Sequence, residues 1–386
     1  MKTLVLGAGQ QGSACAYDLL TRSGHEVILA DAGAGEPAPF LRPYLDGRLR
    51  LETVDATDSF ELRRVMEGVT ATMSALPYYL NLDAAVAAID AGSHFCDLGG
   101  NTEIVLKQKE LDGRARDAGV SVIPDSGLAP GMVNILAEDG IRSFERVRSV
   151  RIKVGGLPQY PEPPLDYQVV YSLEGVLDYY HTLSWILRGG RLMQVEALSG
   201  VEQVDFDEVG KLEAFHTAGG LSTMAERYQG KIETMEYKTL RYPGHARVVE
   251  AIRELGLIDP EPIRVGDQRV VPRDVFIACA EPRLRKHPAE SPDLVVLRVE
   301  VRGEKDGAEE AVRYELVDRY DPETGITAMM RSTGFSLSIT GLLQLAGEIE
   351  PGVRTPDEAV PAGPYLEALG ERGVEVLKSN SAAVPG

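Results

Sequence analysis

Short apolar runs alternate with longer helical patterns through the first 125 residues. The strand-like runs are KTLVLGAG, EVILADAG, RLETVDAT, ATMSALP, HFCDLGG and VSVIPDSG. Segments such as GSACAYDLLTRSG and NLDAAVAAIDAG lie between them and have helical periodicity. Continuous apolar runs, in place of strict apolar–polar alternation, are typical of parallel strands that are covered on both faces. The pattern predicts an α/β fold built on a doubly wound parallel sheet.

The pattern changes near residue 147. The segments VVLRVEVRGEKDG and EEAVRYELVDRYD predict an antiparallel hairpin across the turn-prone EKDG. The segment TAMMRSTGFSLSITGLLQLAGEI predicts a helix that is rich in small residues. We therefore expect a second, inserted α+β domain with a mixed or antiparallel sheet.

A dinucleotide-binding motif follows the first predicted strand. Gly7, Gly9 and Gly12 have the spacing G-x-G-x-x-G between a strand and a helix, and Asp31 ends the second strand. This context predicts a Rossmann-type domain that holds a pyrophosphate at the helix N-terminus. The carboxylate favours NAD over NADP, because it accepts hydrogen bonds from the ribose hydroxyls and repels a 2′-phosphate. The candidate cofactor-binding residues are Gly7, Gly9, Gln10, Gln11, Gly12, Asp31, Asp55, Ala75, Leu76, Gly127 and Leu128.

Composition excludes several classes of partner. The formal net charge of −19 disfavours nucleic acid and anionic membrane surfaces. The N-terminus does not have the pattern of a signal peptide, and no apolar run reaches the length of a membrane span. Three cysteines without C-x-x-C spacing indicate neither disulfides nor a zinc site, and we expect no metal. A cytoplasmic location is the expectation from this composition.

The sequence also resembles a known enzyme family. The stretches that carry the resemblance are VLGAGQQG, DLGGN, VIPDSGLAPGMVNIL, VGGLP with PEPPLDY, SLEGVLDYY, LEAFHTAGGLST, YKTLRYPGH and VVPRDV. In this order they resemble the saccharopine dehydrogenase-like family, and within it the branch of NAD-dependent L-lysine 6-dehydrogenases. The resemblance implies a dinucleotide-binding domain (1–127), a catalytic, substrate-binding and dimerisation domain (128–335) and a C-terminal segment returning to the first domain (336–386). The sheet predicted for the second domain suggests pairing between subunits, so we expect a homodimer or higher homo-oligomer.

The resemblance places the amino-acid carboxylate at YKTLRYPGH, and the residues themselves suggest candidates for the rest of a lysine site. Thr239 and Arg241 in YKTLRYPGH are expected to meet the amino-acid carboxylate, although Arg241 could equally form a structural salt bridge. Asp97 is the candidate for holding the ammonium or accepting its proton, with helix capping as the structural alternative. His216 is the candidate for orienting the substrate or relaying a proton, with a structural role as the alternative. Tyr78 and Gly100 are further candidates for lining the substrate pocket, with packing at a strand end as the structural alternative for Tyr78.

Three functions remain open at this point. The first is oxidation of the ε-amine of L-lysine with NAD. As aligned, saccharopine-forming relatives place an arginine near Ala218–Gly219, and the small residues here favour lysine over saccharopine. The second is a reductase that joins an amine to an aldehyde with NAD(P)H, as in saccharopine or polyamine synthesis. The third is a catalytically silent dinucleotide-binding protein with a regulatory role.

Overall fold

The computed structural model describes residues 1–33 and 35–382. In chain order the strands are β1 (Lys2–Leu6), β2 (Glu26–Asp31), β3 (Leu49–Thr53), β4 (Ala71–Ser74), β5 (His94–Asp97), β6 (Ser121–Ile123), β7 (Arg146–Pro158), β8 (Ser184–Arg188), β9 (Arg191–Val195), β10 (Glu202–Phe206), β11 (Gly210–His216), β12 (Thr234–Arg241), β13 (Ile263–Val265), β14 (Gln268–Val270), β15 (Asp293–Lys305), β16 (Ala308–Arg319), β17 (Gly352–Val353) and β18 (Leu377–Ala382).

The α-helices are α1 (Gln10–Arg22), α2 (Ser59–Met66), α3 (Asn81–Ala91), α4 (Thr102–Lys109), α5 (Asp112–Asp117), α6 (Met132–Ile141), α7 (Leu173–His181), α8 (Met224–Arg227), α9 (His245–Glu254), α10 (Pro272–Leu284), α11 (Ala328–Leu345), α12 (Pro356–Ala359) and α13 (Ala362–Glu371). Short 3₁₀ helices span Pro39–Tyr44 and Tyr78–Leu80. None of the helices in the described ranges combines the length and the apolar character that a membrane crossing needs.

The chain divides into two compact units. Unit 1 contains residues 1–145, 222–227 and 330–379, and unit 2 contains 146–221, 228–329 and the described residues after 379. The first division lies beyond the predicted boundary at 127/128, because α6 packs against α12 and α13 of unit 1. The chain returns to unit 1 at residue 330, slightly before the predicted boundary at 335/336.

Unit 1 contains the parallel sheet that the apolar runs predicted. Its strand order is β17-β6-β5-β4-β1-β2-β3, and every pairing is parallel. The order β3-β2-β1-β4-β5-β6 is that of the Rossmann fold, in which ligands bind beyond the carboxyl ends of the strands. Buried apolar side chains such as Leu4, Ile28 and Phe95 form the core beneath the helices. The predicted Rossmann-type α/β fold is confirmed.

Unit 2 contains a mixed sheet, as predicted. Its main path is β10-β11-β12-β7-β15-β16-β18, with β8 and β9 attached at β12. Strands β7 and β12 are parallel, whereas β7 with β15 and β15 with β16 are antiparallel. The predicted hairpin is β15–β16, which turns through Asp306 and Gly307, both at positive φ.

The two faces of this second sheet differ in chemistry. Successive residues of a strand point to opposite faces, so β11 and β12 each contribute to both. We call the face with Phe215, Thr239 and Arg241 the aromatic face, because tyrosines pack against it. We call the opposite face the charged face, because it carries ion pairs such as Lys153–Glu202 and Lys238–Glu202.

Candidate functional site

The glycine loop between β1 and α1 combines tight packing with one open position. Gly7 has φ +92°, and a Cβ there would lie 2.9 Å from the carbonyl oxygen of Ala75. A Cβ on Gly12 would lie 1.8 Å from the carbonyl oxygen of Gly7. A Cβ on Gly9 would meet no atom within 4 Å. Gly7 and Gly12 are therefore required by packing, whereas Gly9 leaves space through which a phosphate can approach the backbone.

Asp31 and Gln11 complete a cradle for a dinucleotide. The carboxylate of Asp31 accepts hydrogen bonds from the N–H of Ala8 at 2.7 Å and of Gly33 at 2.9 Å, so it is fixed beside the glycine loop. Both side-chain polar atoms of Gln11 are buried and have no hydrogen-bond partner within the described residues. Buried polar groups normally have partners, so a ligand that supplies them fits this position.

The other predicted cofactor residues differ in how well they are placed. Ala75 and Leu76 follow β4 directly beside Gly7, and Leu128 is buried after β6. Gln10 is the exposed first residue of α1. Asp55 lies two residues beyond β3, is exposed, and accepts hydrogen bonds from Thr57, which lower the pKa of its carboxyl. That arrangement makes Asp55 part of its own turn, and its role in the cofactor site stays a prediction.

The bend after β6 is a tightly closed loop. The carbonyl of Gly127 accepts hydrogen bonds from the N–H of Met132 at 2.8 Å and from the hydroxyl of Ser336 at 2.9 Å. Gly131 has φ +130°, and a Cβ there would lie 2.1 Å from the carbonyl oxygen of Gly127. Ser336, on α11, holds the loop from a position 209 residues away in sequence. Sequence reasoning missed Ser336, because no local pattern indicates so distant a contact.

Two carboxyl groups lie together where β5 and β6 end. Asp97 is fully buried and accepts hydrogen bonds from the N–H of Gly99 at 2.7 Å and the amide of Gln108 at 2.7 Å. Asp125, at φ 60°, accepts from the N–H of Gly100 at 3.2 Å and from the hydroxyl of Ser222. Burial raises the pKa of Asp97 to about 6 and that of Asp125 to about 7.

Asp125 was not among the predicted residues, although it lies in the VIPDSG stretch from which Gly127 was selected. The available signal was its position just beyond a buried strand, at the edge of the sheet where ligands bind in this fold. Gly100, a predicted substrate residue, takes part in this pair through its N–H. Tyr78 lies in the 3₁₀ helix after β4, 37% exposed, with its ring against Tyr79.

The aromatic face of unit 2 brings Thr239 and Arg241 together. The hydroxyl of Thr239 lies 2.8 Å from that of Thr217, a buried neighbour that sequence reasoning had not selected. The guanidinium of Arg241 is buried, donates to the hydroxyl of Tyr180 at 3.1 Å and lies 4.8 Å from the ring centroid of Tyr167.

Arg241 has no carboxylate partner among the described residues, so the predicted alternative of a structural salt bridge finds no support. Its cross-strand neighbour is Glu213. That carboxylate instead accepts the N–H groups of Gly244 and Ala246 at the start of α9. A buried cation normally has an anionic partner, so a ligand carboxylate fits Arg241.

His216 lies on the charged face, opposite to Thr239 and Arg241. It pairs in register with Lys238, and its Nε2 lies 3.8 Å from Glu236. Burial and the nearby Lys238 lower the pKa of its imidazole, and its Nδ1 has no partner in the described chain. The structure thus does not bring His216 together with the predicted carboxylate site, which favours the structural reading.

Comparison with known proteins identifies the family. The sequence model of the saccharopine dehydrogenase NADP-binding domain matches residues 3–123, and that of the saccharopine dehydrogenase C-terminal domain matches residues 127–374. A saccharopine dehydrogenase [NADP(+), L-glutamate-forming] of Schizosaccharomyces pombe is 22% identical over 84% of this chain and 87% of its own. The mitochondrial alpha-aminoadipic semialdehyde synthase of Rattus norvegicus is 27% identical over 67% of this chain, which spans 29% of that protein's length.

A solved structure shares the fold. The apo saccharopine dehydrogenase (L-Glu forming) of Saccharomyces cerevisiae superimposes with a TM-score of 0.80 at 19% identity, over 99% of this chain and 100% of that one. The match of the N-terminal domain and the glycine loop together indicate a nicotinamide dinucleotide as cofactor. The two family matches cover most of the sequence, and the chain belongs to the saccharopine dehydrogenase family.

Proposed function

We propose that this protein oxidises the ε-amine of L-lysine with NAD, releasing ammonia and a 6-semialdehyde that cyclises to piperideine-6-carboxylate. The buried Arg241 carries the proposal, because it has no carboxylate partner in the part of the chain that the structure describes and suits the α-carboxylate of a free amino acid. The names of the relatives, saccharopine dehydrogenase and alpha-aminoadipic semialdehyde synthase, support an amino acid of this type.

Thr239 and Arg241 would hold the carboxylate on the aromatic face of unit 2. Nicotinamide, when bound, supplies the acceptor for the hydride that leaves the ε-carbon. The ε-ammonium must first lose a proton, because its nitrogen needs a lone pair to form the C=N bond. Water then adds to that bond, and ammonia leaves.

We assign the proton to Asp125, with Asp97 in a supporting role. A pKa of about 7 lets Asp125 take a proton and release it near neutral pH. Asp97 instead accepts hydrogen bonds from the side-chain amide of Gln108 and from the N–H groups of Gly99 and Asp125. These hydrogen bonds hold the loop after β5.

NAD is the cofactor that we propose. Asp31 presents a fixed carboxylate where an adenosine ribose binds in this fold. The residues that follow, Ala32 and Gly33, offer no cation for a 2′-phosphate, and the nearest downstream cation, Arg42, pairs with Glu36.

The stretch after Thr217 has no space for an arginine side chain, which supports lysine over saccharopine as the substrate. A Cβ on Gly219 would lie 3.0 Å from the ring of Tyr179, and one on Gly220 would lie 2.3 Å from the ring of Tyr237. These rings cover the backbone at the position where saccharopine-forming relatives are expected to carry an arginine.

The test is the formation of NADH by purified protein with L-lysine at alkaline pH, where the ε-amine is neutral. A panel with L-ornithine and aliphatic diamines defines the substrate. No NADH with any of these amines would refute the proposal, and cofactor binding without turnover would support a silent regulatory protein.

The second candidate is a saccharopine-type reductase, which the S. pombe relative favours because it aligns along most of both chains. L-lysine or L-glutamate with an aldehyde partner should then oxidise NADPH or NADH. Faster cofactor oxidation in this direction than NADH formation from lysine alone would establish the second candidate.

A further inference from the structure

A chain of buried polar groups extends from Arg241 into the interior of unit 2. The Nε of Arg241 lies 3.1 Å from the hydroxyl of Tyr180, which lies 3.0 Å from Nε2 of His245. The Nδ1 of His245 lies 2.9 Å from the backbone carbonyl of Leu165. All three side chains are buried, and the His245 ring is stacked with Phe215 at an interplanar angle of 5°.

The direction of every hydrogen bond in this chain is determined by its ends. The carbonyl of Leu165 can only accept, so Nδ1 of His245 carries the proton and Nε2 is the acceptor. Tyr180 therefore donates its hydroxyl proton to His245. Its oxygen is left to accept from Arg241, which has no acceptor role of its own.

We propose that Tyr180 and His245 are positioning residues that fix the guanidinium of Arg241 for the α-carboxylate of the substrate. The inference rests on the proposed function. The Nη2 of Arg241 has no hydrogen-bond partner within the described chain, whereas Nε and Nη1 are held by Tyr180 and the Leu240 carbonyl. The hydrogen bonds from Tyr180 and the Leu240 carbonyl thus immobilise one side of the guanidinium and leave the other side for a ligand.

A protonated His245 would break this chain, because Nε2 would then donate toward the Tyr180 hydroxyl. Burial and the Arg241 charge lower the pKa of His245 to about 3, which keeps the ring neutral where the enzyme would work. Two independent constraints, geometry and charge, therefore maintain the same hydrogen-bond direction.

The test compares Tyr180→Phe with Tyr242→Phe in the full-length protein saturated with NAD. Tyr242 also donates its hydroxyl within unit 2, to the carbonyl of Pro158, and serves as the matched control. The probe is L-norleucine, which carries the α-carboxylate but no ε-amine, and its Kd is measured by calorimetry. We expect Tyr180→Phe to raise that Kd by about 10- to 100-fold, and Tyr242→Phe to leave it unchanged.

Kinetics give a second readout. With L-lysine, Tyr180→Phe should raise KM far more than it lowers kcat, and with 1,5-diaminopentane, which lacks the carboxylate, it should change neither. His245→Leu should reproduce the loss of norleucine affinity, and His245→Gln, which retains an acceptor for Tyr180, should partly restore it.

Two results would overturn the inference: norleucine that does not bind the wild type, or a Kd that Tyr180→Phe does not change. The effect of Tyr180→Phe on the Kd for norleucine can be measured independently of lysine oxidation. If the wild type forms no NADH from lysine but Tyr180→Phe still weakens norleucine binding, the proposed function fails and the role of Tyr180 stands.

Discussion

Asp31→Asn is expected to reverse part of the cofactor preference with little change in the fold. The N–H groups of Ala8 and Gly33 donate to different oxygens of the carboxylate, so the amide of similar shape removes the charge and keeps one of the two hydrogen bonds. Two unit charges about 4 Å apart interact by roughly 1 kcal/mol in water and roughly 4 kcal/mol at an effective dielectric constant of 20. Removing the charge should therefore improve kcat/KM for NADP by about 5-fold to about 1,000-fold.

The same change should weaken the binding of NAD, because a charged acceptor of hydrogen bonds from the ribose hydroxyls becomes a neutral one. Hydrogen bonds to charged groups contribute about 1.5–3 kcal/mol, so we expect the KM for NAD to rise by about 10-fold or more. The assay is kcat/KM for both cofactors at saturating L-lysine, in wild type, Asp31→Asn and Asp58→Asn. Asp58 is a control for removing a carboxylate charge away from the glycine loop; it accepts two backbone N–H groups at the start of α2, both on one oxygen, which Asn can retain. A wild type that prefers NADP, or an Asp31→Asn ratio equal to that of Asp58→Asn, would refute the reasoning.

Further predictions concern the glycine loop, the bend after β6 and the buried carboxyl pair. Gly9→Ala should keep the wild-type Tm but raise the Kd for NAD, whereas Gly12→Ala, whose Cβ would lie 1.8 Å from the Gly7 carbonyl, should cost about 1–3 kcal/mol in urea unfolding. Gly127→Val should lower kcat/KM or cofactor affinity before it lowers Tm, and unchanged kinetics would reduce the bend to a linker. Asp125→Asn should lower kcat by about 10²- to 10⁴-fold if Asp125 accepts the proton. Because burial raises the pKa of Asp125 to about 7, its carboxyl favours folding at low pH, and this contribution is lost as the pH rises through that value. The stability of Asp125→Asn relative to wild type should thus increase by about 2–3 kcal/mol from pH 5 to pH 8, and an unchanged difference would contradict the raised pKa.

The parallel sheet could be predicted from the sequence because its signals are local. Each buried run indicates a strand covered on both faces, and some helix starts have a local cap, as Asp58 does for α2 and Asn101 does for α4. The hairpin β15–β16 is equally local, since Asp306 and Gly307 are residue types that tolerate positive φ. The two-residue strand β17 could not be predicted, because only its pairing with β6 makes Gly352–Val353 a strand.

The glycine loop between β1 and α1 could be predicted from its spacing, whereas the environment of Arg241 could not. The sequence alone does not distinguish an arginine that forms a structural ion pair from one that binds a ligand. What separates the two is the use that the protein makes of Glu213, which lies opposite Arg241 in register but accepts the N–H groups at the start of α9. Only the folded chain shows that this carboxylate is already engaged.

His216 and Thr217 are adjacent in sequence but lie on opposite faces of the second sheet. Imidazole was the more attractive candidate because it titrates near neutral pH. In the sheet, His216 pairs with Lys238 on the charged face, and Thr217 hydrogen-bonds Thr239 on the aromatic face. A strand reverses the direction of its side chains at each residue, so chemical type alone cannot select between two neighbours. The pairing register decides, and it favours Thr217 as the neighbour of the proposed carboxylate site. Thr217→Val should therefore raise the KM for lysine more than His216→Gln does, and the reverse order would return the catalytic role to His216.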